Sequence, residues 1–195
     1  MHRVMGVDIE TYSSVDLTEA GVYAYTEAPD FDILLISYIF DDWGEDDVRT
    51  IDCFDADPDM MAEFVEALTD PQIVKTAFNA NFERTCLAKW LNKPMPPEEW
   101  RCTMVKALTL GLPGNLAGAG EALGLPAEKL KDPQGKALIQ FFSKPCKPTR
   151  VNGQRTRNLP EHDPAKWQLY KNYNRQDVVT EQAVSYTHLT LPTKL

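Results

Sequence analysis

The sequence predicts an α/β fold, a mixed β-sheet with helices packed on it. Three features carry that prediction. Residues 3–54 read as an antiparallel meander of strands, residues 58–102 alternate helices with short strands that suit parallel pairing, and a capped helix begins at residue 164.

Arg3 to Glu10 alternates with period two, so Met5, Val7 and Ile9 face one side and Val4, Gly6, Asp8 and Glu10 the other. Ile33 to Phe40 is a nearly continuous apolar run, as expected of a central strand covered on both faces. Val48 to Phe54 reads as a third strand. Short polar turns between these runs, such as Asp41-Asp42-Trp43-Gly44-Glu45, suit a meander. The pattern then changes. Pro58 to Leu68 is helical, with Met61, Phe64, Val65 and Leu68 on one stripe. Gln72 to Ala77 is a short strand, and Asn81 to Leu91 a helix burying Phe82, Cys86, Leu87, Trp90 and Leu91. A Pro-rich turn leads to a short strand or helix start near Arg101-Cys102-Thr103. Thr103 to Phe142 is mostly helical, broken at Gly111-Leu112-Pro113-Gly114 and at Gly124-Leu125-Pro126. Residues 144–161 form a loop rich in Pro, Arg and Asn. The last helix takes Asp163 as N-cap and Pro164 as its first residue, and is expected to end near Ala183.

A chain of 195 residues suits one domain, assigned to residues 1–184. Residues 185–195, Ser-Tyr-Thr-His-Leu-Thr-Leu-Pro-Thr-Lys-Leu, depart from the helical pattern and resemble a translated cloning adapter. They are expected to be a non-native or disordered tail. The composition is 43% hydrophobic and 25% charged, as in globular proteins. The longest apolar stretch falls far short of the roughly 20 residues of a membrane span. With no signal-peptide pattern at the N-terminus, a cytoplasmic location and no membrane partner are expected.

Cys53, Cys86, Cys102 and Cys146 are scattered without a C-x-x-C pair, so they read as ordinary buried or half-buried thiols. Any metal would therefore sit on carboxylates, which select hard cations such as Mg2+ or Mn2+. The net charge of −9 is unevenly spread: residues 27–70 carry 15 acids and one base, whereas residues 144–157 carry Lys144, Lys147, Arg150, Arg155 and Arg157 and no acid. Such asymmetry lets one edge hold a phosphate backbone, although a solvated basic loop accounts for it as well.

Three distant segments present carboxylates where they could converge. Asp8 and Glu10 share one face of the first strand, about 7 Å apart by the strand rise. Two acids at the end of an apolar strand are costly unless a cation or water compensates. Glu83 falls in the first turn of its helix, where the helix dipole alone accounts for an acid, and Asn79 or Asn81 serves equally as an N-cap. Tyr173 and Asp177 stand at i and i+4 on one face of the last helix, with Trp167 and Tyr170 on much the same side.

Together, Asp8-Ile9-Glu10, Asn79-Ala80-Asn81-Phe82-Glu83 and Tyr173-Asn174-Arg175-Gln176-Asp177 resemble, in order, the three exonuclease motifs of the DEDD superfamily, in its tyrosine-bearing branch. Residues 29–38 resemble phage-type family A DNA polymerases. The resemblance spans residues 3–184 and implies a ribonuclease H-like fold in a phage or bacterial cell. It implies a metal-dependent 3′→5′ exonuclease acting on single-stranded or frayed DNA 3′ ends, the proofreading part of a longer polymerase. Two divalent cations, Mg2+ or Mn2+, would be held by Asp8, Glu10 and Asp177 and, for the second, by Glu83. Tyr173 would orient the attacking water. Thr11, Asn79 and Phe82 would touch the terminal nucleotide. The five bases of residues 144–157 are candidates for upstream phosphates. Glu83 stands where the superfamily usually has Asp, which moves the carboxylate outward. An RNA exonuclease of ribonuclease D type and a catalytically silent nucleic-acid-binding module stay open as alternatives.

Overall fold

A computed structural model describes residues 3–126 and 135–189, with side chains as far as Tyr186. Five strands form one sheet in the order β3-β2-β1-β4-β5. β1 (Arg3–Tyr12) lies at its centre and pairs antiparallel with β2 (Asp32–Phe40), which pairs antiparallel with β3 (Arg49–Asp52). On its other side β1 runs parallel to β4 (Ile73–Ala77), itself parallel to β5 (Trp100–Cys102). This is the mixed sheet expected, a meander followed by parallel strands, and it matches a ribonuclease H-like arrangement.

One face of the sheet is covered by α2 (Pro58–Thr69) and α3 (Ala80–Leu91). Met5, Val7 and Ile9 of β1 pack there against Phe64, Leu68, Cys86 and Leu87. Fully burying each such side chain stabilises by about 1.5–3 kcal/mol. The other face carries α7 (Pro164–Leu189), whose Trp167, Tyr170 and Tyr173 pack with Tyr12, Leu34 and Leu35 and with Leu138 and Phe142 of α6 (Gly135–Phe142). Because helices cover both faces, β2 is buried from Ile33 to Phe40, which is why its sequence is apolar without alternation. α4 (Thr103–Thr109) and α5 (Leu116–Ala122) join the end of β5 to this layer. The breaks expected at 111–114 and 124–126 fall between helices; residues 127–134 lie outside the described residues.

Two expectations need correction. The β1–β2 connection is no short turn but α1 (Leu17–Thr26), capped by Asp16 and interrupted at Gly21 (φ 77°). Its apolar positions are few, Tyr23 is largely exposed, and the broken register hides the helical period. α7 also runs past Ala183 to Leu189. Buried Val184 packs with Leu116 and Ala119 of α5, and the Tyr186 hydroxyl donates to the Asp41 carbonyl at 3.1 Å. The helix is thus extended by packing that local sequence pattern does not encode. The remainder of the expected tail, residues 190–195, lies outside the described residues.

The starting cap is as expected: Asp163 accepts from the Lys166 amide at 3.0 Å, with Pro164 first in the helix. All four cysteines are free thiols, buried or half-buried. Among the described residues no helix is long and apolar enough to cross a membrane.

Candidate active site

The pairing of β1 explains where its acids can act. β4 pairs with β1 only over Arg3–Gly6, so the second half of β1 runs on beyond its parallel neighbour. Asp8 and Glu10 stand on this overhang, and the β1–β2 register shifts between Glu10 and Thr11. Such bulges bend a strand and re-aim its side chains.

α7 crosses the same face of β1 in the opposite sense. Tyr170, Asn174, Asp177 and Glu181 form one stripe at helical spacing, and they meet β1 in reverse order. Glu181 stands over Gly6: a Cβ built there would lie 3.3 Å from Glu181 Oε2 and 3.4 Å from the Ile39 side chain. A side chain at position 6 would press the Glu181 carboxylate by a few tenths of an ångström, and glycine leaves that contact relaxed. Next, the Asn174 amide donates to Asp8 Oδ2 at 2.7 Å. Farther along, the Tyr170 hydroxyl donates to Glu10 Oε2.

Asp8, Glu10 and Asp177 thereby converge, with one oxygen of each within 4.8 Å of the others. Glu10 is 8% and Asp177 3% exposed. Three carboxylate oxygens gathered this closely could share one divalent cation. An all-carboxylate donor set suits a hard cation, and these three residues could hold one. The structure thus brings together three of the four acids expected.

Glu83 stays outside that trio. It lies in the first turn of α3, 5% exposed, and its Oε2 has no hydrogen-bond partner among the described residues. Burial first, then the nearby acids Glu181 and Glu10, push its carboxyl up to about 8. A buried acceptor without a donor calls for a proton, a water or a cation. Glu181 is likewise buried; burial pushes it up to about 7, held back by hydroxyl bonds from Thr103 and Thr76.

Tyr173 bonds through its hydroxyl to the Asp177 carboxylate, and burial together with the surrounding acids drives its pKa far up, so it remains a neutral phenol. Its ring belongs to a stack: Phe142 on Tyr170 at 5.5 Å, and Tyr170 on Tyr173 at 6.1 Å. Gly135 seats against that ring, where a built Cβ would fall 1.9 Å from Cε2.

Beside Glu10 opens a cleft of about 280 Å³, near the lower end for small-molecule sites. Its walls include Glu10, Thr11, Tyr25, Phe82, Ser143 and Lys144. Thr11 lines the cleft, but its hydroxyl is taken by the Tyr25 hydroxyl at 2.8 Å. Phe82 packs 6.1 Å from the Tyr25 ring. Asn79 occupies the N-cap position of α3 without a side-chain capping bond, and it is exposed.

The five bases of residues 144–157 part company. Lys144 edges the cleft and pairs with Asp16 at 3.4 Å. Lys147 and Arg150 are exposed. Arg155 holds its own loop through Asn158 and the Asn152 carbonyl, and Arg157 stacks on Tyr12 while pairing with Asp32 at 2.8 Å.

Sequence reading set Tyr170 on the side of Tyr173 and Asp177 without giving it a role, and missed Asn174 and Glu181. The signal was present: the three lie at i−7, i−3 and i+4 from Asp177, the spacing of one helical face. Ser143, whose hydroxyl lies 2.6 Å from that of Tyr170, had no comparable signal.

No known family's sequence model matches the chain. A DNA polymerase of Bacillus phage SP02 is 58% identical over 182 residues, 93% of this chain. That stretch is 27% of the relative's length, so the chain spans about a quarter of the polymerase it matches. The chain is thus related in sequence to part of a phage DNA polymerase.

Proposed function

We propose that the chain is a metal-dependent 3′→5′ exonuclease domain that shortens single-stranded or frayed DNA from its 3′ end. One observation carries this reading: oxygens of Asp8, Glu10 and Asp177 gather within 4.8 Å at the end of a central strand. The relative's identity as a DNA polymerase favours DNA over RNA as substrate, and in a longer polymerase such a domain would remove misincorporated ends.

The reaction joins a water oxygen to phosphorus and breaks the bond to the leaving 3′ oxygen, releasing a nucleoside 5′-monophosphate. Divalent cations, when bound, supply water activation and charge relief at the leaving oxygen. Asp8, Glu10 and Asp177 would hold the first, and Glu83, whose buried Oε2 lacks a donor, would serve the second. Asn174 keeps Asp8 aimed at the trio. Tyr173 donates its hydroxyl hydrogen bond to Asp177 and stays protonated, which leaves the phenol oxygen to accept from the attacking water and orient it. Its raised pKa suits it to that role and not to that of a base. The cleft beside Glu10 takes the terminal nucleotide against Phe82, with Thr11 in the wall; Asn79, exposed at the start of α3, is not among the residues that line it. Lys144, Lys147 and Arg150 are the bases best exposed for upstream phosphates.

The test is release of nucleotide from a labelled 3′ end in Mg2+ or Mn2+. Asp8→Ala and Asp177→Ala should each lose several kcal/mol of transition-state stabilisation, about 1,000-fold in rate. Unchanged release by both variants removes the reading. Matched DNA and RNA oligonucleotides test the substrate class.

A further inference from the structure

We propose that Ser143 and Tyr170 form a positioning relay that presets Glu10 for cation binding, an inference that rests on reading the acidic trio as a cation-binding nuclease centre. Tyr170 is fully buried, and its hydroxyl donates to Glu10 Oε2 across the gap between α7 and β1. A phenol has one proton. With that proton given to the carboxylate, the contact between Ser143 Oγ and Tyr170 Oη at 2.6 Å must run the other way, the serine donating to the phenol. The bonds therefore point in one direction, from Ser143 through Tyr170 to Glu10.

The donor is placed before Glu10 needs it. The Tyr170 ring is clasped by Phe142 at 5.5 Å, Tyr173 at 6.1 Å and Trp167 at 5.9 Å, so its hydroxyl sits where the aromatic stack puts it. Ser143 is placed just as firmly, its amide donating to the Ile139 carbonyl at 2.9 Å at the end of α6. A phenylalanine at 170 would fill the same stack without burying a hydroxyl, so packing alone does not call for tyrosine. What the hydroxyl adds is a fixed carboxylate plane at Glu10. One oxygen is tied to the phenol, so the carboxylate is held in one orientation beside Asp8 and Asp177. Groups that orient a ligand in this way commonly set 10- to 100-fold of metal affinity.

The experiment titrates Mn2+ into the DNA-free protein by calorimetry, for the wild type, Tyr170→Phe, Ser143→Ala and the double variant. Tyr170→Phe should weaken Mn2+ binding about 10- to 100-fold. Ser143→Ala should weaken it roughly 2- to 10-fold, the worth of one neutral hydrogen bond. The double variant should match Tyr170→Phe, because serine acts only through the phenol. In the nuclease assay, Tyr170→Phe should regain near wild-type kcat at saturating Mn2+. A purely structural role predicts instead a lowered melting temperature with wild-type Mn2+ affinity, and that result overturns the relay. Additive losses in the double variant overturn it too. Ser143→Ala removes a single oxygen at the cleft wall and keeps the test available if Tyr170→Phe folds poorly. A wild type that binds Mn2+ beside an unaltered Tyr170→Phe sinks the relay alone. A wild type that binds no Mn2+ sinks the cation-centre reading with it.

Discussion

Two regions of this molecule bury charge beside its central strands, and they treat it in opposite ways. Lys75 of β4 is fully buried, and its Nζ meets Glu99 at 2.8 Å and the Asp70 carbonyl at 3.1 Å. That charge is matched one to one and tied to backbone, as folding requires. The overhang of β1 instead gathers Asp8, Glu10 and Asp177, like charges within 4.8 Å, attended by an amide and two phenols. Gathering like charges costs stability. On the proposed reading, the fold accepts that cost at one centre for function and settles charge at the other for structure.

Four changes sharpen or break that contrast, taken from largest to smallest effect. Glu99→Ala strands the Lys75 ammonium and should destabilise by about 3–5 kcal/mol in urea unfolding, with nuclease rate per folded molecule unchanged. A small loss of stability would mean that Lys75 is not held as the contacts indicate.

Next comes Gly135→Ala. Its methyl would overlap the Tyr173 ring, so α6 or the ring must shift, at about 1–3 kcal/mol. Nuclease rate should fall along with stability, because Tyr173 is displaced from Asp177. Loss of stability at full rate would detach Tyr173 from the chemistry.

The third is a pH profile of the metal-free protein. Glu83 and Glu181 are raised from 4.5 to about 8 and about 7 on folding. Between those values the native state binds more protons than the unfolded one, so stability falls as pH rises from about 4.5 through about 8. Glu83→Gln should remove much of that slope, seen as a flatter urea midpoint against pH. A wild type with no slope in this window would show that these carboxyls are not buried as described.

The smallest effect is Asp177→Asn, which relieves repulsion in the trio. It should raise metal-free stability by roughly 0.5–2 kcal/mol while abolishing nuclease activity, the reverse of Glu99→Ala. Lower stability on this change would erase the contrast between the two centres.

Much of this was legible in the residues. The alternation of Arg3 to Glu10 put Asp8 and Glu10 on one face, and the i, i+4 spacing of Tyr173 and Asp177 put them on another. Those are local properties of strand and helix periods, so the chain sequence determines them without knowledge of its neighbours. The apolar run of β2 and the Asp163-Pro164 cap were readable for the same reason. The depth at which α7 meets β1 is a different kind of fact. It depends on Tyr12, Leu34 and Phe142 receiving the aromatic side chains of α7, residues far apart in the chain. Only that docking decided that Asn174 reaches Asp8, that Tyr170 reaches Glu10 and that Glu83 stays outside the trio. Long-range contact of another kind, with Tyr12 and Asp32, is what spends Arg157 on the fold, whereas Arg155 is held by its own loop. Docking sums many weak contacts between distant segments, and no local pattern carries that sum.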